Sequence, residues 1–528
     1  MAITAAATYL SFPSAQQQQP SSFRARPRRH RQTTTRAAAT VTDRQEPSPA
    51  VVSPTRRLPL RKVPGDYGPP LVGALRDRAE YFYGPGGRDG FFTSRVRAHR
   101  STVVRLNMPP GPFLARDPRV VALLDAASFP VLFDASLVDK TDLFTGTFMP
   151  STDLTGGYRV LSYVDPAEPA HAPLKQLLFY LLSHRRGHVI PTFREVYGDL
   201  FGRMENELAR AGKADFGQFN DAAALSFLCK ALLGRDPADS ALQGDGPKLI
   251  LKWVVFQLSP LLNLGLPKLV EDSLLHSFRL PPALVRKDYD RLAAFFRDAS
   301  RAVIDEGERL GIAREEALHN IVFAMCFNSF GGIKILFPTL VKWLGRAGAR
   351  THGRIATEVR DAVRRHGGGG EEVTMRALAE MPLVKSAVYE ALRIEPPVPM
   401  QYGRAKRDMV VESHDYGYEV REGEMLFGYQ PMATRDPRVF ARAEEYVPDR
   451  FLGDDGERLL RHVVWSNGPE TAAPTLQDKQ CAGKDFVVLI ARLLVAEIFL
   501  RYDSFDVQVG NSTLGSSVTI TSLKKATF

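Results

Sequence analysis

The distribution of hydrophobic positions predicts a protein built mainly from helices. The longest helical run covers residues 315–345 and is apolar on nearly all sides, which indicates a central, buried helix. Residues 486–500 form a second strongly apolar helical pattern near the C-terminus. Shorter helices are predicted at 171–182 and 384–393, and the alternation over 409–429 predicts a β-hairpin. We therefore expect a mainly α fold with small β-sheets.

The central helical run contains residues that disturb an α-helix. Gly331 and Gly332 lack side chains that would stabilise the helix, and Pro338 has no amide hydrogen to donate. We expect the helix to deform at these three residues. A different apolar stretch, 253–266, is too short and broken to span a bilayer, so a core position is expected, with contact with a membrane surface as the alternative.

The length and composition favour one large folded unit. The chain has 528 residues, of which 44% are hydrophobic, and no linker divides it internally. Its three cysteines are far apart, which favours a reducing compartment over a disulfide scaffold. Of the net charge of +10, half comes from residues 1–46, which hold seven arginines and two acidic residues. Because this basic segment has no packing pattern, nucleic acid is not an expected partner.

The N-terminal segment has the composition of a targeting peptide. Residues 1–42 contain no acidic residue and are rich in Ala, Ser, Thr, Gln and Arg. Such a composition is typical of a transit peptide, and the abundance of Ser and Thr favours the chloroplast. We therefore predict a disordered transit peptide at 1–50 and a catalytic domain at 51–528, with a plain disordered tail as the alternative for the first segment.

Cys481 is the strongest candidate for chemistry. An irregular loop rich in Pro, Gly and Thr leads to it, and the apolar helix begins shortly after it. Gly483 permits close approach of a flat ligand, and the N-terminus of the helix favours a thiolate. A thiolate in this position suits axial ligation of haem iron, whereas the alternative is a buried structural cysteine.

The residues around Cys481, together with Glu390-x-x-Arg393, resemble the haem-thiolate (cytochrome P-450) superfamily. The superfamily pattern is Phe-x-x-Gly-x-Arg-x-Cys-x-Gly, but here Gly468 lies thirteen residues before Cys481 and Lys479 stands where the Arg is expected. This enlarged loop resembles the plant branch that metabolises hydroperoxides, which comprises allene oxide synthases and hydroperoxide lyases. The resemblance extends from about Leu58 to the C-terminus.

The resemblance implies a cytochrome P-450-like fold that binds haem b, with Cys481 as the axial ligand of the iron. It also implies a set of donors for the haem propionates, two of which are four residues apart and so share a helix face: Lys140, His171, Lys175 and Lys479. Behind the haem, the resemblance implies a buried ion triad formed by Glu390, Arg393 and Arg450.

The central helix differs from that of ordinary members of the superfamily. They carry an acid followed by Thr, which delivers protons to dioxygen, whereas this chain offers Asn328. The resemblance implies that Asn328 positions the peroxide oxygens of a fatty-acid hydroperoxide, with Lys334 as a polar partner. Such a substrate already contains an O–O bond, so neither a reductase nor dioxygen is expected. The alternative for Asn328 is an amide that serves only packing.

Two positions distinguish the activities within the plant branch. Synthases resemble this chain in having Phe at the position of Phe144, where lyases have Leu, and Ser162 also matches the synthase pattern. We therefore expect a chloroplast allene oxide synthase in jasmonate biosynthesis, acting on 13-hydroperoxy-octadecatrienoic acid. The alternatives are a hydroperoxide lyase, a reductase-dependent monooxygenase and a non-enzymatic haem or lipid carrier.

Overall fold

The computed structural model describes residues 58–366, 372–512 and 514–527. The predicted transit peptide at 1–50 lies outside the described residues, so it stays a prediction. Within them the fold is mainly helical, as expected. The α-helices are α1 Val72–Tyr83, α2 Gly87–His99, α3 His171–Ser183, α4 Val189–Ala211, α5 Phe216–Leu233, α6 Gly246–Leu258, α7 Lys268–Leu274, α8 Arg286–Ala299, α9 Arg301–Arg309, α10 Arg314–Val322, α11 Gly331–His366, α12 Met375–Ala379, α13 Pro382–Ile394, α14 Gln430–Thr434, α15 Gly453–Leu459 and α16 Lys484–Arg501.

The strands form three small sheets, in the orders β2-β3-β9-β6-β4, β1-β8-β7 and β10-β11-β5. The strands are β1 Leu60–Arg61, β2 Val103–Asn107, β3 Arg119–Leu123, β4 Val138–Asp139, β5 Ala214–Asp215, β6 Met400–Ala405, β7 Met409–Glu412, β8 Gly417–Val420, β9 Met425–Tyr429, β10 Tyr502–Asn511 and β11 Ser516–Lys525.

The predicted hairpin at 409–429 forms only in its first half. β7 pairs antiparallel with β8, with Met409 opposite Val420. β9 belongs instead to the five-stranded sheet, where it pairs antiparallel with β6 and parallel with β3. Alternation identified these strands correctly, but it carries no information on which edge each strand joins.

The central helix deforms before the expected residues. A π-helix, Phe323–Phe330, lies between α10 and α11, and Ser329 Oγ donates to the carbonyl of Ala324 at 2.8 Å. Gly331 begins α11, which continues through Pro338 and departs from helical geometry only at Gly348. The prediction of a deformation at Gly331, Gly332 and Pro338 is therefore wrong in position, because the wide π turn already supplies it.

The central helix and α16 lie inside one hydrophobic core. The stretch 314–366 is long and apolar enough to cross a membrane, but 89% of its most apolar window is buried within the protein, as in a core helix. α16 contacts α4, α11 and α13. Their packing places the loop before α16 next to the π turn of the central helix.

A buried ion triad lies on α13, as the sequence predicts. Arg393 donates to Glu390 at 2.7 and 2.9 Å, and both side chains are fully buried. Arg450 donates to both oxygens of the same carboxylate at 2.9 Å. Arg393 also donates to the carbonyls of Thr434 and Ala443, so the triad fixes the chain that leads into the cysteine loop.

Candidate active site

Cys481 is fully buried at the end of the enlarged loop, directly before α16. Its amide donates to the carbonyl of Ser466 at 2.8 Å, and its carbonyl accepts from the amide of Lys484 at 3.2 Å. At the start of the loop, Asn467 has a φ of 58°, and its side-chain amide donates to the carbonyl of Lys479 at 2.9 Å. The loop therefore closes on itself and holds the cysteine in one place.

Burial raises the pKa of the Cys481 thiol well above its ordinary value, and the ammonium groups of Lys175 and Lys484 oppose that rise. The expectation that the helix N-terminus would favour a thiolate is therefore outweighed by burial in the protein alone. A bound metal ion deprotonates a coordinating thiol outright. The two nearby ammonium groups then stabilise the resulting negative charge.

A buried carboxylate anchors the enlarged loop, and sequence reasoning missed it. Glu470 accepts hydrogen bonds from Trp465 Nε1 at 2.9 Å, the Tyr389 hydroxyl at 3.1 Å and Lys484 Nζ at 3.2 Å. Burial raises the pKa of Glu470, and Lys484 opposes that rise. An acidic residue inside an otherwise neutral stretch of the loop was the available signal. The network joins α13, the loop and the start of α16.

Two buried lysines face the cysteine loop from different directions. Lys479 Nζ donates to the carbonyls of Leu161 at 2.8 Å and Ser162 at 3.4 Å, and Lys140 Nζ donates to the carbonyl of Tyr402. Burial lowers the pKa of Lys140 to about 7 and lowers the pKa of Lys479 well below its ordinary value. Nearby carboxylates oppose both shifts: Asp165 and Asp139 act on Lys140, and Asp165 and Glu168 act on Lys479.

His171 and Lys175 share a face of α3, as predicted, and both contact the cysteine loop. Lys175 Nζ donates to the carbonyl and carboxylate of Asp478 at 2.6 and 2.7 Å, and His171 Nδ1 donates to the carbonyl of Leu476 at 3.0 Å. His171 Nε2 is buried and has no partner among the described residues. Burial lowers the pKa of His171 to about 3.

These four groups fit the acidic side of a haem. Lys175 and Lys140 both lower the pKa of Lys479 by repulsion, and Lys479 and Lys175 do the same to His171. Lys175 is paired with the carboxylate of Asp478, and the carboxylates of Asp165 and Glu168 oppose the fall in the pKa of Lys479. Burial still favours the neutral forms of these side chains, and a bound dianionic group such as the two haem propionates would favour their protonated forms. The residues present therefore fit the predicted cofactor.

Two cavities flank the Pro397–Val398 peptide. The first is lined on its polar side by Lys140, Lys479, Ser162 and Asn467, together with Phe144. The second lies between the π turn and α16, and its lining includes Asn328, Gly332, Pro397 and Phe486. Asn328 and Phe144 thus line two cavities that share this short segment, and Lys140 and Lys479 lie in the cavity of Phe144.

Asn328 is a buried polar residue that lines the second cavity. Its side chain is 4% exposed, and Oδ1 has no hydrogen-bond partner among the described residues. A buried polar atom left unpaired costs about 1–3 kcal/mol. An amide that served packing alone would have a protein partner, so this oxygen points to a ligand.

Phe144 lies in a cluster of rings beside the π turn. Its ring centroid is 5.3 Å from Phe327, 5.5 Å from Phe323 and 5.5 Å from Tyr163. Phe327 directly precedes Asn328 in the π turn, so Phe144 packs against the same turn that carries Asn328. Ser162 lines the same cavity as Phe144, and its hydroxyl has no partner among the described residues.

Lys334 is paired with a carboxylate of the protein. Its ammonium forms an ion pair with Asp221 of α5 at 2.5 Å, and it is not among the residues that line the cavity of Asn328. This geometry gives no support to the predicted contact between Lys334 and substrate, which stays a prediction. The physical reason for the pair is the partly buried carboxylate of Asp221, whose raised pKa Lys334 opposes.

The fold and the cysteine site define a haem-thiolate protein of the cytochrome P450 class. Residues 350–513 match the family model described as Cytochrome P450. A crystal structure of a cytochrome P450DA mutant heme domain superposes with a TM-score of 0.62, at 15% identity, covering 87% of this chain and 98% of that one. The predicted fold class is confirmed.

Curated relatives specify the family. The chain is 85% identical to "Allene oxide synthase 1, chloroplastic" of Oryza sativa subsp. japonica, over 94% of this chain and 96% of the relative. It is 60% identical to the protein of that name from Solanum lycopersicum, over 92% and 90%, and 55% identical to "Allene oxide synthase, chloroplastic" of Arabidopsis thaliana, over 96% and 98%. The chain belongs to the allene oxide synthase family, which favours the synthase over the lyase and the monooxygenase.

Proposed function

We propose that the protein dehydrates a fatty-acid hydroperoxide to an allene oxide in the chloroplast, with 13-hydroperoxy-octadecatrienoic acid as substrate, and that it serves jasmonate biosynthesis. The hydroperoxide loses its outer oxygen as hydroxide and a neighbouring carbon loses a proton, so the products are an epoxide and water. The observation that carries this proposal is the unpaired, buried amide oxygen of Asn328, at the place where monooxygenases of the superfamily need a proton-delivering pair.

The cofactor assigned to the site is haem b. When bound, it supplies homolytic cleavage of the O–O bond, favoured by electron donation from a thiolate ligand. Cys481 would ligate the iron through its sulfur, and Lys140, His171, Lys175 and Lys479 would hold the propionates. Because these four side chains come from three segments of the chain, binding of the cofactor also ties those segments together.

Asn328 holds the hydroperoxide without changing its protonation. Its Oδ1 accepts the hydrogen bond of the peroxide O–H, and its Nδ2 donates to a peroxide oxygen. A neutral amide delivers no proton, which suits a reaction that needs none from outside. Neither a reductase nor dioxygen takes part, because the substrate already contains the bond that is cleaved.

Phe144 and Ser162 determine the fate of the substrate radical after the O–O bond is cleaved. The face of an aromatic ring stabilises a delocalised radical and the positive charge that develops as that radical is oxidised. Ser162 supplies a second neutral donor in the same cavity as Phe144. Lys334 has no part in this assignment.

An apolar surface suits contact with the plastid membrane, from which such a substrate comes. Large apolar side chains are exposed on three segments: Leu71, Val72, Phe113, Leu269, Leu274 and Phe278. Buried Arg78 joins these segments, because it donates to the carbonyls of Gly111 and His276 and pairs with Asp272 at 2.7 Å. Peripheral binding through this surface needs no spanning helix.

Product analysis tests the proposal. The haem-loaded protein is incubated anaerobically with the 13- or the 9-hydroperoxide, without NADPH or a partner flavoprotein. We expect rapid loss of the 13-hydroperoxide and formation of ketols, the hydrolysis products of an allene oxide. Short-chain aldehydes as the main product would make the protein a lyase, and a requirement for NADPH or dioxygen would make it a monooxygenase.

A further inference from the structure

A continuous row of aromatic side chains leads from the reaction pocket to the protein surface. It begins at Phe144 and Phe327 beside Asn328. The ring of Trp253 lies 6.1 Å from Phe327 and also packs on Phe323, and Tyr289 stacks on Trp253 at 5.5 Å. The proposed dehydration uses neither Trp253 nor Tyr289.

The row ends in a tyrosine that is bonded to a base. The Tyr289 hydroxyl is hydrogen-bonded to His319 Nδ1 at 2.6 Å. The ring of His319 stacks between those of Tyr289 at 5.6 Å and Tyr158 at 5.5 Å. His319 Nε2 lies 3.9 Å from an oxygen of Glu315, a side chain that is 47% exposed. This separation is too long for a hydrogen bond, so the outer end of the row is His319, which lies near the exposed Glu315 without being bonded to it.

Solvent reaches the outer end of this row. Tyr289 and His319 line a surface cavity whose rim carries Arg286 and Arg297. Burial lowers the pKa of His319, which favours the neutral imidazole, and in the tautomer protonated at Nε2 the Nδ1 atom accepts from the phenol. Burial also raises the pKa of Tyr289, so the phenol keeps its proton until it is oxidised.

We propose that Trp253 and Tyr289 form an oxidation relay, which removes a stray oxidising equivalent from the reaction pocket while His319 accepts the phenolic proton. The proposal rests on the proposed function, because cleavage of a hydroperoxide is what supplies the oxidant. When the alkoxyl radical instead leaves the pocket, or fragments to a carbonyl compound and an alkyl radical, one oxidising equivalent of the hydroperoxide remains at the site and would oxidise nearby side chains.

The electrons and protons of the relay balance. One electron would pass from Tyr289 through Trp253 to the cofactor that the site would hold, where it would cancel the one oxidising equivalent left by the hydroperoxide. The proton moves from the phenolic oxygen to His319 Nδ1, which leaves a neutral tyrosyl radical and an imidazolium. A soluble one-electron donor such as ascorbate reduces the radical, and His319 returns the proton. The oxidant is the hydroperoxide itself.

The test uses the haem-loaded enzyme and tert-butyl hydroperoxide, whose saturated alkoxyl radical cannot form an allylic epoxide. After rapid freezing, electron paramagnetic resonance should show a tyrosyl radical in the unmodified protein. Tyr289→Phe and Trp253→Phe should each lose this signal, and their haem absorbance should bleach faster per added peroxide. Ascorbate should slow bleaching in the unmodified protein and not in Trp253→Phe. Dehydration of the natural substrate should continue in both variants.

A matched control is Tyr418→Phe, since Tyr418 is equally buried and its hydroxyl bonds Ser101 at 2.8 Å, outside the aromatic row. Its radical signal and bleaching rate should equal those of the unmodified protein. Should the first two variants not fold, mass spectrometry of the unmodified protein after peroxide should find oxidation at Trp253 and Tyr289. An unchanged signal in folded Tyr289→Phe, or no oxidation at either residue, overturns the relay. Failure to dehydrate the natural substrate overturns the proposed function instead.

Discussion

The ring of Phe144 lies 5.3 Å from the ring of Phe327, and the two meet at an angle of 67°. Because Asn328 follows Phe327, the ring proposed to stabilise the substrate radical and the amide proposed to hold the peroxide belong to one packed unit. Phe144 and Phe327 are far apart in sequence, and packing of Phe144 against the π turn brings the two rings together.

Phe144→Leu should change the product and not the rate of peroxide loss. Leucine keeps the site apolar but removes the ring face, so allylic-radical oxidation loses about 0.5–2 kcal/mol of stabilisation, or roughly threefold to thirtyfold in partitioning. Chromatography should show ketols falling and short-chain aldehydes rising. Phe129→Leu, a buried ring of the five-stranded sheet cluster, is the control. An unaltered product ratio in Phe144→Leu would remove the proposed role.

Asn328→Leu should lose activity without losing stability. The substitution removes the two hydrogen bonds between the peroxide and Asn328. The bound peroxide then loses about 1–3 kcal/mol of stabilisation, which lowers kcat/KM roughly fivefold to a hundredfold. The folded protein gives up an amide oxygen that had no partner, so the midpoint of thermal unfolding should stay equal or rise. Haem content and calorimetry provide the check. A drop in both would mean that Asn328 serves packing.

Cys481→Ser should abolish turnover and the thiolate-type haem spectrum. The hydroxyl of serine is a weak ligand for haem iron, and its burial leaves the nearby Lys175 and Lys484 without a thiolate to stabilise. Cys229→Ala is the control, since Cys229 is equally buried and also outside any disulfide. If Cys481→Ser retained both properties while Cys229→Ala lost them, the axial assignment would be wrong.

The local sequence pattern was sufficient to predict α16, because eleven of its residues are large and apolar. It was also sufficient to predict an irregular loop before Cys481, because the composition of that loop excludes regular structure. It could not locate the deformation of the central helix, since the turn that widens depends on rings from other segments. The partners of Glu470 lie at positions 389, 465 and 484, and only the fold brings them together. The sequence motifs therefore did not predict the partners of Glu470 or the ion pair between Lys334 and Asp221.

Stability should fall on acidification in part through His276. This imidazole is fully buried, stacks on Phe82 at 3.9 Å and donates to the carbonyl of Pro260 at 3.0 Å. Burial lowers its pKa from the ordinary 6.5. Because the pKa of His276 is lower in the folded than in the unfolded protein, the stability contributed by the neutral ring is fully present above pH 6.5. This stability is lost as the pH falls toward the folded-state pKa, at up to about 1.4 kcal/mol per pH unit.

The measurement is thermal unfolding between pH 5 and 8, comparing the unmodified protein with His276→Phe. The variant keeps the stacked ring but cannot take up a proton, so its unfolding temperature should depend less steeply on pH. Hydrogen exchange should locate the difference in the segment that contains α7. Parallel pH profiles for the two proteins would show that His276 does not titrate on unfolding.

Lys334→Met should lower stability and leave substrate affinity unchanged. The substitution leaves the Asp221 carboxylate, 22% exposed, without its cation, and an unpaired, largely buried charge costs about 1–3 kcal/mol. Asp221→Asn in the same protein should recover most of that loss, because the neutral amide needs no counter-charge. The two single variants and the double variant form a cycle whose coupling energy measures the ion pair. A KM for hydroperoxide that rises several-fold in Lys334→Met, with an unchanged unfolding temperature, would return Lys334 to the substrate site and contradict the structural assignment.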